Sequence, residues 1–382
     1  MGIEIARLTK NDYDELIAVL DRTFSTKYQR PMSFEASLPK MGRRTDENMN
    51  HHFGLREDGV LKSVLGVYPL PTRIAGQDLL FSTVGNVATL PEAVGKGYMT
   101  QLLKVAMQEL KDIGAVASRL GGKRTRYHRY GYDPAGVVTR YELDLAQWPA
   151  EVVPKKVRFT LVERQNEALL ERLQALHQAG PFIVYRPTLD DFYDSLVAWL
   201  NVPYVATTEE GELLGYLCAS ADGGKIAELE SVSTQAFQAI LYGWLTQKSP
   251  LVEIPLMPHL ADENNFLLDI CAKHTIAAPC QFKIIQWEKV VDAALKLKAT
   301  YVPLPRAEKR IEVEGYGTLL VRTGEGRAEC IRLETPTKAA EICLPWTHAS
   351  LFFFGPTTLL ADRLGCGGLF PLPLSWNLQD RV

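Results

Sequence analysis

The sequence predicts an α/β protein with mixed sheets, built from two successive strand–helix units and a smaller α+β module, divided as 1–150, 151–285 and 286–382. Three observations lead there. Residues 51–118 run through three strand-like segments, a glycine turn, an amphipathic helix and a fourth apolar strand. That is the order of a mixed layer in which a helix crosses between two nearly parallel strands. The same outline returns between 157 and 246, and beyond Ile284 the texture changes to alternating strands separated by glycine turns.

The bulk numbers narrow the class. A chain of 382 residues exceeds one ordinary core, and 46% hydrophobic with 23% charged residues is a folded, globular composition. The net charge of -3 argues against nucleic acid as a partner, because neutralising phosphates takes a basic surface. Cys218, Cys271, Cys280, Cys330, Cys343 and Cys366 form no CxxC pair and lack zinc-ligand spacing. Free thiols in a reducing compartment, and no metal, are expected. MGIEIARLTK at the start has no apolar signal core. The run Leu351–Phe354 stops at Gly355-Pro356, far short of the roughly 20 residues of a membrane span. The expectation is a cytoplasmic protein without membrane attachment.

In order along the chain, residues 2–8 alternate like an edge strand. Thr9 and Asp12 mark a helix start, and Tyr13, Leu16, Ile17, Leu20 and Phe24 follow at helical spacing. Ser25–Asn50 is polar and irregular. From His51 a meander follows, with a hairpin at Asp58-Gly59, a turn at Ala75-Gly76, and Gly85 placed for a bulge in the strand that ends at Leu90. Glu92–Tyr98 is a turn opening into a helix over Gly97–Ile113, ended by Gly114. Backbone amides of a first helical turn lack intrahelical partners and sit at the positive end of the helix dipole, so this turn is a ready phosphate site. Thr139–Leu145 reads as the strand closing the first unit. In the second unit Ile226–Thr246 takes the place of Val84–Leu110, but its turn, Ser231–Phe237, has no glycine. A helix around Glu288–Leu295 and another near Leu359–Leu364 accompany the strands of the third module.

The apolar strand with Val87-Ala88-Thr89, the turn Val94-Gly95-Lys96-Gly97-Tyr98-Met99, and the later Tyr127-His128-Arg129-Tyr130-Gly131-Tyr132 resemble the GCN5-related N-acetyltransferase (GNAT) superfamily. Two units, of which the second has lost its glycines, followed by an α+β module, resemble its enhanced-intracellular-survival (Eis) type. The resemblance implies two tandem GNAT-type acyltransferase folds, the second degenerate, plus a sterol-carrier-protein-like domain. In the superfamily pattern, Gln/Arg-x-x-Gly-x-Gly/Ala, only Gly97 of this turn meets a constrained position, while Val94 and Met99 depart from it.

Roles follow from the resemblance residue by residue. Val87, Ala88 and Thr89 would pair with the pantetheine arm of acetyl-coenzyme A, and Val94, Gly95, Lys96, Gly97, Tyr98, Met99 and Thr100 would hold its pyrophosphate. Tyr127 would be the general acid toward the departing thiolate; a phenol near pKa 10 keeps its proton at neutral pH. Val382 would supply a terminal carboxylate as general base. His128 stands at a position that is not catalytic in the family, and Tyr130 and Tyr132 read as packing residues. The run Lys123–Arg126 stays open between the cofactor's 3′-phosphate, an acidic substrate and plain solvent. The implied activity is transfer of an acetyl group from acetyl-coenzyme A to a primary amine by direct attack in a ternary complex. The acceptor could be an aminoglycoside, a polyamine or lysine, and the sequence ranks none of them. Homo-oligomers, hexamers or dimers, are part of the resemblance. The rival reading is a non-catalytic protein that binds coenzyme A or, in its last domain, a lipid.

Overall fold

The computed structural model describes residues 2–152, 154–335 and 338–380. The first unit runs β1 (Ile3–Arg7), α1 (Tyr13–Tyr28), α2 (Phe34–Ser37), α3 (Asp46–Met49), β2 (His52–Glu57), β3 (Val60–Ile74), β4 (Gln77–Thr89), α4 (Tyr98–Asp112), β5 (Ala117–Leu120), α5 (Arg124–Tyr127) and β6 (Asp133–Ala135). Local chemistry sets many of these boundaries. Thr9 and Asp12 form a reciprocal capping box on the turn that leads into α1. Asp58 and Gly59 both adopt left-handed φ and close the β2–β3 hairpin. The apolar stripes of α1 (Leu16, Val19, Leu20) and α4 (Leu102, Leu103, Ala106, Leu110) join one core with β2, β3 and β4.

The second unit continues as β7 (Val138–Asp144), β8 (Arg158–Leu161), α6 (Glu167–His177), β9 (Phe182–Val184), α7 (Leu189–Leu196), β10 (Val202–Thr207), β11 (Leu213–Ala219), β12 (Ile226–Ser231), α8 (Thr234–Gln247), β13 (Leu251–Leu256), α9 (Ala261–Ile270), β14 (Lys273–Ala277) and β15 (Cys280–Ile284). The first sheet has the order β1-β2-β3-β4-β5-β15-β6, so a strand from the end of the second unit lies inside the sheet of the first. The reverse also occurs. β7, read as the strand closing the first unit, pairs with β13 and β14 of the second. The chain leaves the first sheet at Gly136, at φ +87° and so close to Leu374 that a Cβ would lie 2.2 Å from its carbonyl oxygen. β9 in turn pairs with the distal half of β3.

The third module contains α10 (Trp287–Ala299), β16 (Ala307–Val313), β17 (Gly317–Gly324), β18 (Arg327–Leu333), β19 (Ile342–Leu344), α11 (Trp346–Phe354) and α12 (Leu359–Arg363). Its sheet, β18-β17-β16-β19, packs on α10 and α11. The apolar run at 351–354 lies in α11, where the ring of Phe353 meets Phe370 at 5.0 Å and Phe354 at 6.1 Å. No helix among the described residues is long and apolar enough to cross a membrane. Trp376, 4% exposed, is wedged among Phe81, Phe182 and Phe282, and so joins all three parts of the chain.

Candidate active site

β4 and β5 run parallel and pair from Phe81↔Ala117 to Val84↔Leu120, where the pairing ends. Beyond Val84, β4 keeps β3 on one edge only and parts from β5. A bulge sits where they part. Asn86 and Val87 together oppose the single Leu65 of β3, between the pairs Gly66↔Gly85 and Val64↔Ala88. The residue that turns left-handed is Asn86, at φ +53°, rather than the expected Gly85. Asparagine tolerates this region better than other side-chain-bearing residues, and here it is also held. Asn86 Nδ2 donates to Tyr68 Oη at 2.8 Å, and Tyr68 Oη lies 2.7 Å from His52 Nε2. If Tyr68 gives its proton to His52 Nε2, the ring is a neutral imidazole with that nitrogen as acceptor. All three side chains are buried. Burial lowers the His52 pKa to about 4, in agreement with that role. Gly66 is required beside them, because a Cβ there would lie 2.2 Å from Tyr68 Oη. This brace was not foreseen from the sequence, although an Asn next to Gly85 in an apolar strand was its visible sign.

The turn after β4 has the shape of an anion cradle. Gly95 and Gly97 take φ of +91° and +78°, and Gly97 stands at the N-cap of α4 without any side-chain cap on the helix amides. With no side chain to satisfy them, the first-turn amides are left for a ligand. They open onto a cleft of about 500 Å³ lined by Val87 and Thr89 from β4, by Val94, Gly95, Gly97, Tyr98, Met99 and Thr100 from the turn, and by part of α1. Two named residues stand elsewhere. Ala88 is buried, its carbonyl accepting from Ser63 Oγ, and Lys96 is turned to Glu57, with its Nζ 2.9 Å from both carboxylate oxygens. The cations on the cleft are instead Lys27, from the C-terminal turn of α1, and Arg126. No carboxylate lines it among the described residues. Thr23, Phe24 and Lys27 fall at helical spacing on α1, which the sequence reading used only for its core face.

Tyr127 ends α5 and is 4% exposed, its ring packed against Gly122 just beyond β5. Burial pushes its phenol above the ordinary value, against an opposing pull from the Arg126 guanidinium beside it. The phenol therefore holds its proton throughout the neutral range. It does not itself line the cleft, but its neighbour Arg126 does. The loop around it is tied down. His128 Nδ1 lies 3.0 Å from Asp133, Arg124 pairs with the same carboxylate, Arg129 donates to Thr100 Oγ1 at 3.1 Å, and Tyr132 shares a 2.7 Å hydrogen bond with Ser118. Lys283 of β15 holds the carbonyl of Tyr130 at 2.9 Å. The strand brought in from the second unit thus braces the loop that carries Tyr127.

Val382 lies outside the described residues, but the segment leading to it is firmly placed. Lys40 Nζ donates to the carbonyl of Gln379 and Arg119 to that of Asp380, both at 2.6 Å. Arg186 donates from Nε to Asp380 at 3.0 Å and grips Glu228 with both of its terminal nitrogens. Burial works against the charge on Asp380, yet Arg186 and Lys40 hold its carboxyl below the usual range. Arg186, Glu228 and Asp380 are each no more than 3% exposed.

The second unit repeats the layout and has its site filled. β12 and β13 touch through the parallel bridge Lys225↔Glu253 and then part, as β4 and β5 do. The C-terminal segment occupies the gap. Asn377 reaches Glu230 of β12 at 3.5 Å, and Trp376, Asn377 and Leu378 face Pro255 and Met257 across a remnant cavity of about 10 Å³. The helix end is closed too, since Ser233 at the N-cap of α8 accepts from the amide of Ala236.

A family model described as an acetyltransferase (GNAT) domain matches residues 4–135. The first unit is therefore similar to a GNAT acetyltransferase domain. Solved structures extend the likeness of fold to nearly the whole chain. A probable N-acyltransferase from Enterococcus faecalis is 16% identical, with a TM-score of 0.67 over 98% of this chain and 100% of that one. A GCN5-related N-acetyltransferase from Kribbella flavida is 15% identical at a TM-score of 0.64, covering 97% of each chain. Eis1 from Mycobacterium abscessus is 16% identical at 0.64, over 95% of this chain and 92% of its own. No curated protein matches. The fold is thus two GNAT-type units in tandem with a third α+β module, and only the first unit keeps an open helix end beside a parted strand pair.

Proposed function

We propose that this protein transfers an acetyl group from acetyl-coenzyme A to a primary amine. The observation that carries the reading is the uncapped N-terminus of α4, with left-handed Gly95 and Gly97, opening on the same cleft as the free edge of β4. Its chemistry fits the cofactor: backbone amides and the cations Lys27 and Arg126 for phosphates, and an unpaired strand edge for the amides of a pantetheine arm. Bound there, acetyl-coenzyme A supplies an activated acetyl group as its thioester.

The chain's own residues supply position and protons. The Val87 and Thr89 stretch aligns the arm, and the bulge at Asn86 keeps that edge clear of β5. The acceptor nitrogen gains the acetyl carbon and loses a proton, while the sulfur gains a proton as it leaves. In this reading Tyr127 donates the latter from its phenol, and the carboxylate of Val382 takes the former. Cytoplasmic location, self-association and the sterol-carrier likeness of the third module belong to the same reading. Thiol release from acetyl-coenzyme A over a panel of amines tests it. Tyr127→Phe is expected to lower kcat by roughly 10²- to 10⁴-fold with coenzyme A affinity unchanged. Absence of turnover with every amine, together with intact coenzyme A binding, would leave a binding protein instead.

A further inference from the structure

Gln379 is wholly out of water and plugs the end of α7. A helix leaves the carbonyls of its last turn without intrahelical partners. Here the amide of Gln379 supplies them, Nε2 donating to the carbonyls of Ser195 at 3.0 Å and Leu196 at 2.6 Å. Its Oε1 accepts from Asn201 Nδ2 at 2.9 Å, and Asn201 also donates to the carbonyl of Ala198 at 3.0 Å. The orientation of both amides follows, since turning either would set oxygen against oxygen. Between Leu196 and Asn201 the chain makes a turn in which Trp199 and Leu200 both take left-handed φ, +60° and +61°. For residues that bear side chains each costs about 1–2 kcal/mol, so such a turn persists only where its surroundings impose it. Gln379 and Asn201 bind its two ends.

The grip does not stop at the side chain. The carbonyl of Gln379 accepts from Lys40, in the turn after α2, and that of Asp380 from Arg119 of β5, while the Asp380 carboxylate meets Arg186 of the second unit. A plug for α7 alone would need only the amide. Two successive main-chain carbonyls held by cations of the first unit fix the path of the chain itself. Arg119 also lines a cavity of about 410 Å³ that reaches Gly122, against which the ring of Tyr127 packs. A leash of two residues spans no more than about 7 Å, which ties the position of the Val382 carboxylate to that of Asp380.

We infer that Gln379 is a positioning residue, the anchor by which the second unit holds the carboxylate of Val382 in place for the reaction of the first. Its catalytic meaning rests on the acetyltransferase reading with that carboxylate as base; the anchoring itself does not. The full chain is compared with Gln379→Ala, with a chain extended by one glycine after Val382, and with both changes combined. Coenzyme A affinity and melting are recorded for each. In thiol release with an amine that turns over, the extension lowers kcat roughly 10²-fold. Gln379→Ala lowers it roughly tenfold in the parent but less than about twofold in the extended chain, with KM for acetyl-coenzyme A unchanged. Equal losses in both backgrounds would leave Gln379 a structural plug and overturn the inference. An extension without cost would overturn it together with the role of the carboxylate. Asn201→Ala, which keeps both amide hydrogens of Gln379 on α7, repeats the pattern on a smaller scale and stands in if Gln379→Ala does not fold. Carboxypeptidase release of Val382 needs no turnover. Well below the melting temperature of both forms it is roughly tenfold faster in Gln379→Ala than in the parent, and an equal rate would overturn the inference. Faster release in a protein that acetylates no amine would sink the acetyltransferase reading alone.

Discussion

His52 is the side chain on which the shape of the cofactor edge hangs. Its Nε2 shares a hydrogen bond with the Tyr68 hydroxyl, which accepts from Asn86, and Asn86 makes the bulge. An imidazolium would bury a charge in this apolar cluster and turn Nε2 from an acceptor into a donor. Its folded pKa, about 4, lies below the ordinary 6.5, so the unfolded state binds more protons between these values. The stabilisation is complete above pH 6.5 and is lost as pH falls toward 4, by up to about 3 kcal/mol. Denaturant unfolding across that window is expected to lose less stability in His52→Gln than in the parent. Identical pH slopes would assign the acid sensitivity elsewhere. The sequence placed a bulge in the right strand and on the wrong residue, because glycine is the default for left-handed backbone. What selects Asn86 is a bond to a tyrosine on the neighbouring strand, and no local pattern carries that.

The contrast between α4 and α8 is an experiment already half done by the protein. One helix starts at a bare glycine in left-handed conformation, and the other caps itself with Ser233. Gly97→Ala forces an alanine to φ +78°, at a cost of about 1–2 kcal/mol, and is expected to weaken coenzyme A binding at least tenfold. Ser233→Ala removes a cap worth about 1 kcal/mol of stability and is expected to leave coenzyme A affinity as it was. Paired melting and binding curves check both, and a loss of affinity in Ser233→Ala would return the second unit to the list of cofactor sites. This contrast was legible beforehand, since glycine content is local. The charges around the turn were not. Lys96 is adjacent in sequence to the cradle and is taken by Glu57, while Lys27 and Arg126 reach the cleft from separate elements.

At the scale of the molecule, the parts are locked by a few buried charges and by exchanged strands. Arg186 lies between β9 and α7, Glu228 on β12, and Asp380 near the C-terminus, all out of water. Arg186→Met takes the ion-pair partner from both carboxylates, leaving Lys40 as the cation near Asp380, and is expected to cost about 3–5 kcal/mol in thermal or denaturant unfolding. A loss below 1 kcal/mol would mean that the cluster is solvated in the folded protein. The periodicity of the sequence found β7 as a strand and left β15 unread, and a strand's alternation says which face is buried, not which neighbour it meets.

That exchange sets an order in time for a chain emerging from the ribosome. When residues 1–135 are out, β5 has one edge bare, and its partner β15 is still unsynthesised. β7 likewise waits for β13 and β14. The loop that carries Tyr127 gains its last tether only when Lys283 arrives, so the first unit, though first made, is finished among the last.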